Sequence, residues 1–212
     1  MLNDQHSGKD VITAPEHSFP DKVETPRLRV DRYGSDDAAQ IFAIVDRNRD
    51  RLLQDFPDMA RDLGSIGDAK KFVVSKGEEW SAGRRFCYGI WPRSPGELLG
   101  QIQVKNIVWN VPSAELSYFI DSSCERQGFA TEAIIAMLGV AFHRFRFQRV
   151  YVRVLPSNEG SIKLAGRLGF QYEGQHRSEY RCGHGKLHDV RYFSLTFDDY
   201  QRRGNRLGAV EA

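Results

Sequence analysis

Two short segments carry residue types that could hold an anion and move a proton. In Cys124-Glu125-Arg126-Gln127-Gly128-Phe129-Ala130-Thr131 a glycine and an alanine stand where a strongly apolar helix begins. Gly128 lets the backbone turn without a β-carbon, and Ala130 keeps the surface low where a ligand would approach. Unpaired amides at a helix start, together with the helix dipole, suit a phosphate or pyrophosphate. No Gly-Lys-Ser/Thr ending follows, so no lysine reaches a terminal phosphate and NTP hydrolysis is not expected. Taken alone, the segment reads as a plain strand-to-helix turn. The second segment is Asn158-Glu159-Gly160-Ser161, just past a strand rich in valine. Singly, Asn158 is a helix N-cap and Ser161 a first-turn residue. Ligands of α/β units bind off the carboxyl ends of parallel strands, so the two segments together point to one crevice.

Bringing them together requires a strand ending near Asp121, a helix to about Phe145 and a strand over 149–154, a βαβ unit whose strands are parallel. Before it, Arg27-Leu28-Arg29-Val30-Asp31 alternates as a strand, and Ser35 is expected to cap a helix with Ala38, Ile41, Phe42 and Val45 on one face. A short helical stretch around Leu52 and Leu53 and a helix over 68–82 follow. Strands over 86–91, 98–109 and 115–120 form an antiparallel meander because their connections are short. A helix over 161–168 and a hairpin of 170–181 and 187–197 end the pattern. Residues 1–22 read as a flexible arm, 23–200 as one α+β domain and 201–212 as a tail.

Thirty basic residues nearly cancel 28 acidic ones in a chain of 212, leaving a net charge of +2. No strong field for nucleic acid or an anionic membrane follows, and no direct nucleic-acid binding is expected. Arg144-Phe145-Arg146-Phe147 interleaves charge and aromatics, but it spans a helix end and a strand start, so the phenylalanines should face the core. Three cysteines without CxxC spacing fit a reducing compartment. The longest apolar run, Ala133 to Phe142, is about half a membrane span, and the N-terminus lacks the apolar core of a signal peptide. Cytoplasm is the expected location. Cys182, His184, His188 and Asp189 hint at a metal, but the glycines between them favour an exposed hairpin tip, and no metal is expected.

Residues 115–131, read with Ala114, resemble the strand and pyrophosphate loop of the GNAT superfamily of acyl-CoA-dependent N-acyltransferases. Asn158-x-x-Ser161 followed by Leu168-Gly169-Phe170 is similar to the next motif of its RimL-type branch, the ribosomal-protein N-terminal acetyltransferases and their relatives. Glu24-Thr25-Pro26-Arg27-Leu28 matches that branch's opening strand and His188-Asp189-Val190 its last hairpin, so the resemblance spans about residues 24–198. Glu125 departs from the pattern, which usually has Gln or Arg there.

The resemblance implies a GNAT fold: a mixed central sheet with an antiparallel meander, a βαβ acyl-CoA-binding unit and a C-terminal hairpin. It implies acetyl-CoA as donor, its pyrophosphate on the amides of Arg126, Gln127, Gly128, Phe129, Ala130 and Thr131. The pantetheine arm would pair with Tyr118, Phe119 and Ile120 and bond Asn158, and Ser161 would protonate the departing thiolate. The attacking amine must be neutral. An α-amine, with a pKa of about 7.7–8.0, is partly so at neutral pH, whereas lysine at about 10.4 needs a strong base. Glu115 is the first candidate base and Glu179 the second; their bland alternatives are a partly buried ion pair and a solvated hairpin charge. The acceptor is an amine on a protein N-terminus or a small molecule, and the branch often pairs, which points to a homodimer. A non-catalytic acyl-CoA sensor is the competing reading.

Overall fold

Leu28 and Val30 are fully buried while their neighbours keep contact with water, and this period-2 pattern sets one face of a large sheet. The computed structural model describes residues 19–207. Its eight strands are β1 (Lys22–Glu24), β2 (Leu28–Arg32), β3 (Phe86–Pro92), β4 (Gly100–Val108), β5 (Ser113–Ile120), β6 (Arg149–Val154), β7 (Gln171–Arg181) and β8 (Leu187–Thr196). They lie in the order β1-β2-β3-β4-β5-β6-β8-β7. Every neighbouring pair is antiparallel except β5 and β6.

That parallel pair decides where a ligand can enter. Pairing covers only Ser113 to Glu115 against Arg149 to Tyr151. Beyond it β5 stays with β4 as far as Ile120, and β6 stays with β8 as far as Val154. The two strands therefore part into a wedge that leaves one edge of 116–120 without a β-partner.

Helices cover both faces. On one, α1 (Ala38–Arg47), α2 (Arg49–Asp55), α3 (Pro57–Asp62) and α4 (Ile66–Ser81) pack Ile41, Ile44, Leu52 and Leu63 with Trp91 and Phe119. On the other, α5 (Phe129–Gly139) and α6 (Glu159–Leu168) pack Ile134, Met137 and Leu164 with Leu116, Ile120 and Val152. Phe119 and Ile120 thus serve opposite cores, as alternation along a strand requires.

Several expectations shift in detail. Ser35 opens a short 3-10 turn rather than capping α1; the cap contact is Gly34 N–H donating to Asp37 Oδ2 at 2.7 Å. The apolar helix does not run uniformly to Phe145: α5 gives way to a π-turn over Val140–Arg144, closed by Phe145 N–H on Val140 O at 3.2 Å. The wider turn rotates the chain so that Phe145 and Phe147 are both buried, as their core reading requires. The arm assigned to 1–22 reaches into residues 1–18, which lie outside the described residues. Phe19, however, is buried and stacks on Phe145 at 3.5 Å and Phe86 at 3.9 Å, and β1 follows directly. Where a tail was expected from 201, α7 (Phe197–Leu207) continues and packs Tyr200 on Phe142; 208–212 lie outside the described residues. No helix among the described residues is long and apolar enough to cross a membrane.

Candidate active site

The Gly128 loop takes the conformation its sequence calls for. Gly128 has φ 84° and Arg126 φ 59°, so two residues of one turn lie in the left-handed region. This curls the chain so that the amides of Phe129, Ala130 and Thr131 begin α5, in the first turn where a helix supplies no internal partner. A β-carbon on Gly128 would also meet Arg27 Nη2 at 3.2 Å. Arg27 itself donates to Gln127 O at 3.0 Å and to Glu132 at 2.6 Å, tying the segment before β2 to the loop. Glu125 is paired with Arg51, which neutralises the departure from the family pattern.

The loop forms one wall of a cavity of about 780 Å³ that runs into the wedge. Of the residues expected to hold a donor, Tyr118, Phe119, Ile120, Arg126, Gly128, Phe129, Ala130, Thr131 and Asn158 line it, and so does Ser161. Gln127 does not; its amide side chain turns back to Ser123 O at 3.5 Å. Asn158 is both cap and cleft residue: its Oδ1 accepts from Ser161 N–H at 3.0 Å, and its Nδ2 donates to Asp55 Oδ2 at 3.2 Å. Tyr118 lies against the Ser161 hydroxyl; burial raises the phenol's pKa and the contact with Ser161 opposes it, leaving it raised and protonated at neutral pH.

A second cavity, of about 80 Å³, adjoins the first and shares Asp55, Phe56, Tyr118, Asn158 and Ser161 with it. Its far side comes from elsewhere. Tyr180 donates its hydroxyl to Asp55 O at 2.7 Å, and Gly183 N–H donates to Leu53 O at 2.6 Å. These bonds satisfy two of the carbonyls that the last turn of α2 leaves open. The fit is close: a β-carbon on Gly183 would stand 2.5 Å from Leu53 Cδ2 and 2.9 Å from Leu53 O. The base of the tip between β7 and β8 is thus docked on α2 with Cys182 buried, while His184 to Leu187 are exposed, as expected of the tip. Among the described residues no group of three His, Cys, Asp or Glu is placed to hold a metal ion.

Comparison with known proteins agrees with this geometry. Residues 27–171 match the family model described as an acetyltransferase (GNAT) domain. The chain belongs to the GNAT acetyltransferase family. It is 27% identical over 139 residues to the probable N-acetyltransferase YjcK of Bacillus subtilis (strain 168), covering 65% of this chain and 77% of that one. It is 26% identical over 119 residues to the [ribosomal protein uS5]-alanine N-acetyltransferase of Escherichia coli (strain K12), covering 56% and 61%. The fold matches that of RimL, a ribosomal-protein α-N-acetyltransferase solved in complex with coenzyme A, with a TM-score of 0.75 and 20% identity over 86% of this chain and 99% of that one. The protein is an acetyl-CoA-dependent N-acetyltransferase, and acetyl-CoA is its donor.

Within this acetyltransferase the two expected bases meet different fates. Glu115 is 2% exposed at the root of the wedge. Its Oε2 accepts from Asn106 Nδ2 at 2.6 Å and Arg153 Nε at 3.0 Å, and its Oε1 lies 3.3 Å from Lys105 Nζ. Both oxygens are engaged in a buried ion-pair network, and Glu115 also lines the smaller cavity. Burial lowers the Lys105 pKa while the Glu115 charge resists the change. Glu179 lines neither cavity; it receives the Tyr192 hydroxyl, lies 3.1 Å from His176 Nδ1 and 3.6 Å from Arg153 Nη1. Arg153 therefore joins both glutamates in one network beside the site. Sequence reasoning missed Arg51, Asp55 and Tyr180, because neither a seven-residue helix nor a hairpin strand carries a motif that marks them.

Proposed function

We propose that this enzyme acetylates the α-amine of a protein or peptide N-terminus, with acetyl-CoA in the larger cavity and the terminal residue in the smaller. The observation that carries the reading is the meeting of the two cavities at Ser161, Asn158 and Tyr118. A chamber of about 80 Å³ has room for an amine and a small side chain. The acceptor named for the Escherichia coli relative, an alanine of a ribosomal protein, fits that size. An acceptor of that kind would place the enzyme in the cytoplasm.

The donor's pyrophosphate rests on the amides of residues 126–131, with Arg126 and Arg167 beside it. Its pantetheine amides take up the free edge of 118–120 and the remaining Asn158 donor. The rate comes chiefly from holding amine and thioester in attacking geometry. In chemical balance the acceptor arrives as an ammonium. One proton leaves to a base, nitrogen bonds the acetyl carbon, and the carbon–sulfur bond breaks. The thiolate then takes a proton from Ser161, which is made good by the one the new amide nitrogen sheds; Tyr118 holds the hydroxyl in place.

Calorimetric titration with acetyl-CoA, followed by thiol release with alanine- and serine-initiated peptides, tests this. Release from peptides with a free terminus, and none from the same peptides blocked at the terminus but carrying an internal lysine, is expected. Release only from the lysine peptides would overturn the acceptor class.

A further inference from the structure

Asp55 ends α2 at the junction of the two cavities and lines both of them. Three contacts from remote segments set its position. Tyr180 hydrogen-bonds its carbonyl, Gly183 holds the preceding turn at Leu53, and Asn158 Nδ2 reaches one carboxylate oxygen, Oδ2. Among the described residues the other oxygen, Oδ1, accepts no hydrogen bond, although the carboxyl is half-buried. Asn158 is also the cap that fixes Ser161, so a single side chain spaces the free oxygen from the hydroxyl expected at the sulfur. Glu115 lines the smaller cavity but has both oxygens engaged, and Glu179 lies outside both cavities.

We propose that the Asp55 carboxylate is the group that takes the proton from the acceptor's ammonium. This rests on the α-amine reading and supplies the base it lacks. The ammonium N–H faces Oδ1, the proton passes to that oxygen, and the freed lone pair on nitrogen attacks the acetyl carbon. Asp55 then returns the proton to solvent through the cleft. Its surroundings suit a base. Burial raises its pKa, opposed by the Arg51 charge and the Asn158 hydrogen bond, and a base nearer neutrality is more effective. The other charged or titratable groups near it are Tyr180 and His188 of the hairpin and Asp58 of α3, and Lys105, Glu115 and Arg153 line the smaller cavity with it. Among the described residues none of them forms an ion pair with the Asp55 carboxylate, whereas Lys105 and Arg153 both pair with Glu115.

Asp55→Asn keeps the oxygen that accepts from Asn158 and removes the base. Calorimetry should show acetyl-CoA affinity within about twofold of wild type, since no loop amide is touched. Thiol release with an alanine-initiated hexapeptide should fall about tenfold at pH 7, the factor by which an α-amine of pKa about 8 is protonated there. The deficit should shrink as pH rises past about 8, where an α-amine is already neutral. Equal turnover, or a loss of the same size at every pH, would overturn the proposal. Glycinamide is assayed in parallel. Should wild type release thiol with glycinamide but not with any peptide, the peptide reading fails while the pH-dependent deficit on glycinamide still decides for or against Asp55. Thermal melts give an arm that needs no acceptor. A carboxyl whose folded pKa is raised makes the fold less stable as pH rises from its unfolded value through the folded one, so as pH rises above about 4 wild type should lose more Tm than Asp55→Asn. Identical pH responses would also overturn the proposal.

Discussion

On the proposed reading the donor wall of the wedge comes from the chain between Tyr118 and Arg167 and would meet its ligand largely through backbone, whereas the acceptor wall joins α2 to a hairpin strand 125 residues away and presents side chains. Backbone recognition depends little on side-chain identity, and the charge of Glu125 in the loop is met by Arg51. Side-chain recognition has no such tolerance, and it depends on two segments staying docked. One cleft can thus have a wall robust to substitution and a wall open to tuning, with Asn158 belonging to both.

Five changes would break or sharpen that contrast. The largest effect is expected at neither wall but at the root of the wedge. Glu115→Gln leaves Lys105 and Arg153 without their partner, at a cost of about 3 kcal/mol, the low end for a broken buried pair since both cations keep some water. Denaturant unfolding measures it; a loss below about 1 kcal/mol would show that Glu115 is not a structural knot. Next, Gly128→Val places a branched side chain at φ 84° against Arg27, where left-handed backbone alone costs about 1–2 kcal/mol. Acetyl-CoA should bind about tenfold more weakly by calorimetry, and unfolding should lose about 1–2 kcal/mol of stability.

Gly183→Ala acts on the other wall. Its β-carbon has no room against Leu53, so the hairpin must lift from α2. The KM for a peptide acceptor should rise several-fold with the Kd for acetyl-CoA unchanged; equal changes in both would mean that the two walls are not separable. Tyr180→Phe, which removes only the hydrogen bond to Asp55 O, should act in the same direction and cost about 1 kcal/mol.

A pH effect away from both cavities is the smallest. Burial works to raise the Asp121 pKa, but the Arg47 hydrogen bond and the amide and hydroxyl of Ser123 bring it below its ordinary 3.8. Asp121 ties the end of β5 to α1, and its depressed pKa means that its contribution is complete above the unfolded value and lost as pH falls through the folded one. Asp121→Asn should therefore flatten the loss of Tm below about pH 4, its largest difference from wild type lying above that point.

The strands, the βαβ unit and the donor loop were legible because each depends on neighbours in sequence. Gly128 was read as a turn glycine and Asn158 as a cap from their local context alone, and both hold those places. The roles that needed distant partners were not legible. Cys182 and Gly183 looked like a free tip because only their docking on Leu53 shows otherwise, and Ser35 looked like a cap because its type is right even though Asp37 makes the contact.

By itself, then, the amino-acid order determined the alternating strands, the apolar helix after Gly128 and the glycine turn between them, since hydrophobic period and backbone freedom are properties of short segments. Glu115 and Asp55 both line the smaller cavity, and tertiary structure alone decided which of them keeps an oxygen without a hydrogen bond. A carboxylate's availability depends on what surrounds its oxygens, and here Lys105, Asn106 and Arg153 close off Glu115 while the docking of α2 on the hairpin leaves one oxygen of Asp55 open.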